Sequence, residues 1–152
     1  MIEEQALAES DLDEVVDLER TCFSDAWSRE AFEDEVDRAA HGGYSRVARI
    51  GGELAGYLIS WFIYDEAHLA NLAVDPRWRR QGVGRTMLQD FLREARLRGC
   101  SVAHLEVRAT NDGAIDLYRA HGFQPVSVRK NYYQREHEDA LVMACFLRRE
   151  EE

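Results

Sequence analysis

The sequence predicts a single α/β domain over residues 1–152, in which a mixed central sheet of about seven strands is flanked by about four helices. Short alternating or apolar runs of strand length are interleaved with segments of helical period, giving the order β-α-α-β-β-β-α-β-α-β-β. The middle of that order is a strand, a long amphipathic helix and another strand, a unit that closes as a right-handed crossover between parallel strands. The 152 residues are 45% hydrophobic and show no abrupt change of composition that would mark a linker. One core must therefore serve the whole chain.

Taken in order, a first strand is expected around Glu4 to Ala8. Ser10 then stands where an N-cap belongs, and Leu12, Val15, Val16 and Leu18 follow helical spacing, predicting a helix over Asp11 to Cys22. Ser24, Asp25 and Trp27 make a turn; Ser28 is a second N-cap; a polar helix runs from Arg29 to about Arg38 and stops at His41-Gly42-Gly43. Tyr44 to Ile50 and Leu54 to Tyr64 read as a hairpin through Gly51-Gly52. Ala67 to Val74 is apolar enough for a buried strand and ends at Asp75-Pro76. From Gly82 to Arg98, Val83, Met87, Leu88, Phe91, Leu92 and Ala95 recur at three and four, with Gly99 as the stop. Val102 to Val107 is a strand, and Asn111 caps a short helix through Tyr118 that ends at Gly122. Phe123 to Tyr133 and Ala140 to Leu147 are the last two strands, joined by a charged loop.

Charge and composition exclude several classes of function. A formal net charge of −10 opposes sequence-independent binding to nucleic acid, which needs a basic face to displace counterions, and favours a cationic partner. No apolar run approaches the roughly 20 residues of a membrane-spanning helix. The opening MIEEQALAESDLDE is acidic and lacks the layout of a signal peptide, so a cytoplasmic protein without a membrane partner is expected. Cys22, Cys100 and Cys145 form no CxxC pair and the five histidines never fall at HxxxH spacing, so no disulfide framework and no metal are expected.

The most informative stretch joins the third apolar strand to the long helix. Gly82 and Gly84 let the backbone come close to a ligand, and a helix start offers unpaired N–H groups and the positive end of the macrodipole to an anion. Arg77, Arg79, Arg80 and Arg85 surround them, with no acidic residue between Pro76 and Gln89. There is no GxxxxGK[ST] P-loop, and GVG lacks the third glycine and downstream acid of a Rossmann fingerprint. An ordinary glycine turn with solvated arginines competes on spacing alone; Asp75-Pro76 before it and the amphipathic helix after it favour a pyrophosphate cradle.

Arg79-x-x-Gly82-x-Gly84 resembles the acetyl-CoA motif Arg/Gln-x-x-Gly-x-Gly/Ala of the GNAT N-acetyltransferase superfamily. The resemblance implies a GNAT-like domain with acetyl-CoA as cosubstrate. By it, Arg79 opens a loop in which the amides of Arg80, Gln81, Gly82, Val83, Gly84 and Arg85 hold the pyrophosphate, while Leu72, Ala73 and Val74 bind the pantetheine arm and polarise the thioester carbonyl.

Acetyl transfer to an amine needs a proton acceptor for the amine and a donor for the departing thiolate. Glu106 lies in the strand VAHLEVRA, where alternation sets it on one face with His104 and Arg108; a surface glutamate paired with Arg108 is the competing reading. Tyr118 stands at the end of the following helix, as a proton donor or simply as a core aromatic. The segment LEVRATNDGAIDLYRAHGF looks like LEVR-x-x-N-x-x-A-x-x-LY-x-x-x-GF of ribosomal-protein-alanine N-acetyltransferases. Carried over, Glu106 is the general base acting through water, Tyr118 the general acid, and Asn111, otherwise only a cap, a contact to CoA.

Further markers extend the resemblance from about Cys22 to Met143: Phe23 with Trp27-Ser28, Asp65-Glu66-Ala67, Asn71-Leu72-Ala73-Val74, and Asn131-Tyr132-Tyr133 followed by Glu138-Asp139-Ala140. Ala26 departs from the pattern, where a proline often precedes the tryptophan. The family implies a peptide groove flanked by Trp27 and by Tyr132 and Tyr133, with Asp139 and Glu106 favouring an amine or a basic neighbour; these aromatics are otherwise core residues. The implied substrate is a protein N-terminus, the N-terminal alanine of small-subunit ribosomal protein eighteen. Acetylation of lysine or of a small amine, and a non-catalytic acetyl-CoA-binding module, stay open at this stage, the last disfavoured by the presence of both Glu106 and Tyr118.

Overall fold

The computed structural model describes residues 1–147. Its elements are β1 (Ile2–Ala6), α1 (Leu12–Cys22), α2 (Arg29–Ala40), β2 (Tyr44–Ile50), β3 (Glu53–Ile63), β4 (Glu66–Val74), α3 (Val83–Leu97), β5 (Val102–Arg108), α4 (Asp112–Ala120), β6 (Gln124–Tyr133) and β7 (Glu138–Phe146). The order is the one the sequence predicts. Seven strands form one sheet in the order β1-β2-β3-β4-β5-β7-β6. β4 and β5 are parallel, whereas β1–β2, β2–β3, β5–β7 and β6–β7 are antiparallel, so the sheet is mixed, with α3 as the crossover.

The chain comprises two compact units. Met1–Trp61 and Ala70–Phe91 make the first; Phe62–Leu69 and the chain from Leu92 onward make the second. In the first, the apolar stripe of α1, Leu12, Val15, Val16 and Leu18, is buried with Phe32, Val47, Leu54, Tyr57, Ile59 and Ala73. Each such leucine or phenylalanine contributes roughly 1.5–3 kcal/mol of transfer free energy, which outweighs the modest helix propensity of the valines. Ser28 caps α2, its Oγ accepting the Ala31 N–H at 3.2 Å. Ser10 caps nothing: it lies in a 3-10 turn over Glu9–Asp11, and the Asp11 carboxylate accepts the Ala8 N–H at 2.9 Å instead. The turn puts Asp11, not Ser10, at the N-cap position of α1, and Asp11 makes no side-chain bond into that helix.

Gly56 fixes how closely β3 approaches the end of β4. A Cβ at this position would lie 2.6 Å from the Ala73 carbonyl oxygen and 3.3 Å from Val83 Cγ1. Only glycine admits that approach, which sets the C-terminal end of β4 and the first residue of α3 against β3.

In the second unit, β5 alternates as expected: Ala103, Leu105 and Val107 are buried, while His104, Glu106 and Arg108 face the other way. The parallel register places His68 opposite His104 and Leu69 opposite Leu105. Asn111 caps α4, its Oδ1 accepting the Ala114 N–H at 3.2 Å. Tyr118 closes that helix against Phe123, ring centroids 5.8 Å apart and edge to face. β6 is exposed nearly throughout, and its pairing with β7 shifts between Arg129 and Tyr133, where Asn131 has φ 52°.

Candidate active site

Of the residues singled out from the sequence, Leu72, Ala73, Val74, Arg79 to Arg85 and Trp27 belong to the first unit, and Glu106, Asn111, Tyr118, Tyr132, Tyr133 and Asp139 to the second. The loop before α3 has the shape of an anion cradle. Asp75 starts it, its Oδ1 accepting the Arg77 N–H at 2.8 Å while Oδ2 pairs with Arg77 Nη2 at 3.1 Å. Arg80 has φ 65° and Gly82 φ 82°. Left-handed residues alternating with ordinary ones turn successive N–H groups toward one side. The Gly82 carbonyl accepts the Thr86 N–H at 3.0 Å, so Gly82 is the last residue before the helix, and α-helical geometry leaves the N–H groups of Val83, Gly84 and Arg85 without intrahelical acceptors. A Cβ on Gly82 would sit 3.3 Å from Arg85 Nη2. The backbone, the helix end and the Arg79, Arg80 and Arg85 side chains, all exposed, thus fit a pyrophosphate.

Arg79 Nη2 lies 4.0 Å from Cys22 Sγ, which donates to the Val74 carbonyl at 3.8 Å. Burial pushes the thiols of Cys22, Cys100 and Cys145 up from their ordinary value. A raised thiol pKa opposes formation of the nucleophilic thiolate, so no cysteine is equipped to carry an acyl group.

Trp27 is half-buried and packs against the core of the first unit. Its ring lies against Phe32 and Trp61, centroids 5.4 and 6.3 Å away, and its backbone N–H is held by Glu19 Oε2 at 2.9 Å. Glu19 is 1% exposed and also accepts from the Tyr57 hydroxyl and from Asn71 Nδ2. This hub was missed in the sequence. The signal is present, since Glu19 continues the spacing of Leu12, Val15 and Val16 and is an acid on an apolar stripe.

In the second unit, Glu106 is largely buried but not sealed: its side chain is 15% exposed and that of its partner His68 19%. Glu106 Oε1 lies 3.0 Å from His68 Nε2. That hydrogen bond is the chief cause holding the Glu106 carboxyl below its usual value, with His104 and Arg129 acting in the same sense and burial against it. The carboxylate is therefore ionised at neutral pH. Pairing with Arg108 is not what forms. Arg108 reaches Glu138 at 3.1 Å and Glu136 at 3.4 Å and lies 4.1 Å over the Tyr133 ring, so the nearest carboxylates across the β5–β7 end outcompete its own strand neighbour.

Among the described residues, His68, His104 and Glu106 bring possible ligand atoms within 4.8 Å of one another. The two imidazoles, however, are stacked, 4.7 Å apart and 17° from parallel. In-plane lone pairs of nearly parallel rings do not converge on one ion, so the arrangement serves ring orientation better than metal binding.

Tyr118 is 8% exposed, and burial, with Tyr133 adding to it, pushes its phenol well above its ordinary value. It keeps its proton at any working pH, as a proton donor must until a stronger base develops beside it. Tyr132 is 40% exposed, stacked under Arg129 at 4.4 Å and edge-on to Tyr133 at 5.1 Å; it closes no core. The Asp139 carboxylate accepts the Asn131 N–H at 2.8 Å and lies 3.4 Å from Lys130 Nζ, which holds the irregular turn of β6. Asn111 accepts the α4 cap bond on its carboxamide oxygen, and the cap makes no use of its Nδ2 donors.

The profile of the acetyltransferase (GNAT) family matches residues 12–123. The chain is 35% identical over 142 residues to the [ribosomal protein bS18]-alanine N-acetyltransferase of Escherichia coli K12, covering 91% of this chain and 93% of that protein. It is 36% identical over 144 residues to N-alpha-acetyltransferase RimI of Mycobacterium tuberculosis, covering 91% and 88%. The crystal structure of the ribosomal-protein-S18-alanine N-acetyltransferase from Escherichia coli superimposes with a TM-score of 0.85 at 34% identity, over 100% of this chain and 97% of that one. With the fold, the glycine-arginine helix start and these likenesses in agreement, the chain belongs to the GNAT acetyltransferase family.

Proposed function

We propose that this chain is an acetyl-CoA-dependent N-α-acetyltransferase, acting as one domain over residues 1–152 in the cytoplasm, and that its substrate is a protein N-terminus, the N-terminal alanine of a ribosomal protein in particular. The observation that carries the reading is the state of Glu106: an ionised carboxylate, hydrogen-bonded and within reach of water, on a strand face where a mere acetyl-CoA sensor has no use for one. The names of the bacterial relatives support the choice of amine.

In this reading the amides from Arg80 to Arg85, with Arg79, hold the pyrophosphate, and Leu72, Ala73 and Val74 line the pantetheine arm. Bound acetyl-CoA supplies the acetyl group as a thioester. Glu106 belongs to the proton-accepting side, which removes a proton from the substrate ammonium; Tyr118 protonates the leaving thiolate. Asn111 contacts CoA through Nδ2. Trp27, Tyr132 and Tyr133 flank the peptide, and Asp139 acts on it through the turn it holds.

The test is a competition. A peptide with a free Ala-Arg-Tyr terminus and an N-terminally blocked peptide carrying a lysine are incubated together with acetyl-CoA and the protein, and the acetyl group is located by mass spectrometry. Modification of the α-amine alone is expected. Acetylation of the lysine instead, or of neither peptide, contradicts the assignment.

A further inference from the structure

The carboxylate assigned to proton acceptance has a feature that a lone general base would not have. Its main hydrogen-bond partner is an imidazole, and that bond makes Glu106 a weaker base than a free glutamate. A substrate ammonium calls for the opposite, since an acceptor works best when its affinity for the proton approaches that of the donor. An imidazole oriented by a carboxylate is a better acceptor than a carboxylate restrained by an imidazole, the logic by which an acid orients and stabilises a catalytic histidine elsewhere.

The geometry supports that division of labour. β4 and β5 run parallel with His68 opposite His104, and Glu106, two residues beyond His104, shares its face. His68 is thus held by the Glu106 Oε1 contact at 3.0 Å and by the His104 ring stacked 4.7 Å away. His104 is itself tied to Glu66 at 3.5 Å, and burial together with His68 lowers its affinity for a proton. A neutral His104 is a suitable stacking partner for an imidazole that gains charge during the reaction, because it adds no like charge. The charged groups around His68 are accordingly Glu106 and His104 on β5, Glu66 on its own strand and Arg129 on β6, which acts on Glu106. The Glu106 carboxylate contacts the ring directly. A hydrogen bond from Nε2–H to that carboxylate selects the tautomer in which Nδ1 is the basic nitrogen.

We infer that, in the acetyl transfer proposed above, the proton acceptor is a His68–Glu106 dyad, with His68 Nδ1 taking the proton of the substrate amine and Glu106 orienting the ring and stabilising the imidazolium. The inference rests on that functional reading. The ammonium gives one proton to His68, which releases it to solvent after turnover. The second nitrogen proton leaves as the amide forms and replaces the one that Tyr118 gives to the departing thiolate. The carbon–sulfur bond of the thioester is exchanged for a carbon–nitrogen bond, and one proton is released per turnover.

The test uses the full chain, acetyl-CoA and the Ala-Arg-Tyr peptide. Glutamine at His68 can still donate a hydrogen bond to Glu106 but cannot accept a proton, so His68→Gln separates base from support. The dyad predicts that His68→Gln lowers kcat by about 10²–10³-fold, with acetyl-CoA affinity by calorimetry changed less than about threefold and an unchanged melting temperature. It also predicts that added imidazole restores part of the activity of His68→Ala. A His68→Gln enzyme with wild-type kcat overturns the inference, as does a His68→Ala enzyme that imidazole leaves inactive.

A second readout does not depend on turnover. In ¹⁵N spectra of neutral imidazole, the proton of His68 is expected on Nε2 in the wild type, with that preference lost in Glu106→Gln; a proton on Nδ1 overturns the inference. A wild-type protein that acetylates no α-amine contradicts the functional reading instead, and the spectra still decide whether the dyad forms.

Discussion

The Glu19 carboxylate holds the backbone N–H of Trp27 at 2.9 Å, eight residues further along the chain. The same buried carboxylate takes hydrogen bonds from Tyr57 on β3 and, at 2.8 Å, from Asn71 on β4. One side chain on α1 therefore fixes the loop that carries Trp27 relative to two strands of the first unit. A carboxylate buried this deeply is stable only with hydrogen-bond donors around it.

Glu19→Ala strands three donors at once, and each buried unsatisfied group costs about 1–3 kcal/mol. Partial relaxation brings the expected loss of stability to about 2–4 kcal/mol, to be read from urea denaturation midpoints at constant m. A change below about 1 kcal/mol would show that the hub is not a structural keystone.

Two glycines separate stability from ligand binding. Gly56→Ala drives a methyl to 2.6 Å from the Ala73 carbonyl, a backbone clash that no rotamer relieves. It is expected to cost more than about 2 kcal/mol. Gly82→Ala places a side chain at φ 82°, strained by about 1–2 kcal/mol, and narrows the cradle beside Arg85. Calorimetry should show at least a tenfold loss of acetyl-CoA affinity for Gly82→Ala, with most of the protein still folded at 25 °C. Unchanged affinity would remove the loop from its assigned role.

The proton-transfer groups should act on kcat. Glu106→Gln is expected to lower kcat by about 10²–10⁴-fold and Tyr118→Phe by about 10–10²-fold, both with nearly unchanged acetyl-CoA binding. Tyr118→Phe keeps the edge-to-face contact with Phe123, so its melting temperature should stay close to that of the wild type. Turnover at the wild-type rate in either variant would strip that residue of its role.

A pH effect is built into the first unit away from these groups. Burial, followed by the hydrogen bond and like charge of Asp90, pushes Glu4 up to about 7, with Arg46 opposing. A raised carboxyl gives stability that is complete below its unfolded value near 4.5 and is lost as pH rises through about 7, because the unfolded chain ionises first. Glu4→Gln should therefore melt with the wild type at pH 4 and above it at pH 8, by on the order of 1 kcal/mol after allowance for partial exposure. An equal difference at both pH values would contradict the linkage.

Periodicity and turn chemistry made the fold legible. The stripe of α3, the Ser28 and Asn111 caps and the alternation of VAHLEVR each depend on neighbours in sequence, and each formed as read. The Ser10 cap failed because a 3-10 turn over Glu9–Asp11 leads into α1, which puts Ser10 inside that turn instead of at the helix start. The cradle was legible for the same local reason: its glycines and arginines are consecutive. The surroundings of Glu106 were not, because His68 lies 38 residues away and meets it only through the β4–β5 register. Asp139 likewise looked available for a substrate amine until the β6 turn placed Asn131 and Lys130 on its carboxylate.

The central claim is transfer of an acetyl group to a protein α-amine, and the most direct measurement is the intact mass of an unacetylated recombinant ribosomal protein with N-terminal alanine, before and after incubation with this chain and acetyl-CoA. The account predicts a shift of one acetyl group, located on the N-terminal peptide and absent with Glu106→Gln. No shift, or acetyl groups on lysines with the N-terminus left free, would contradict it.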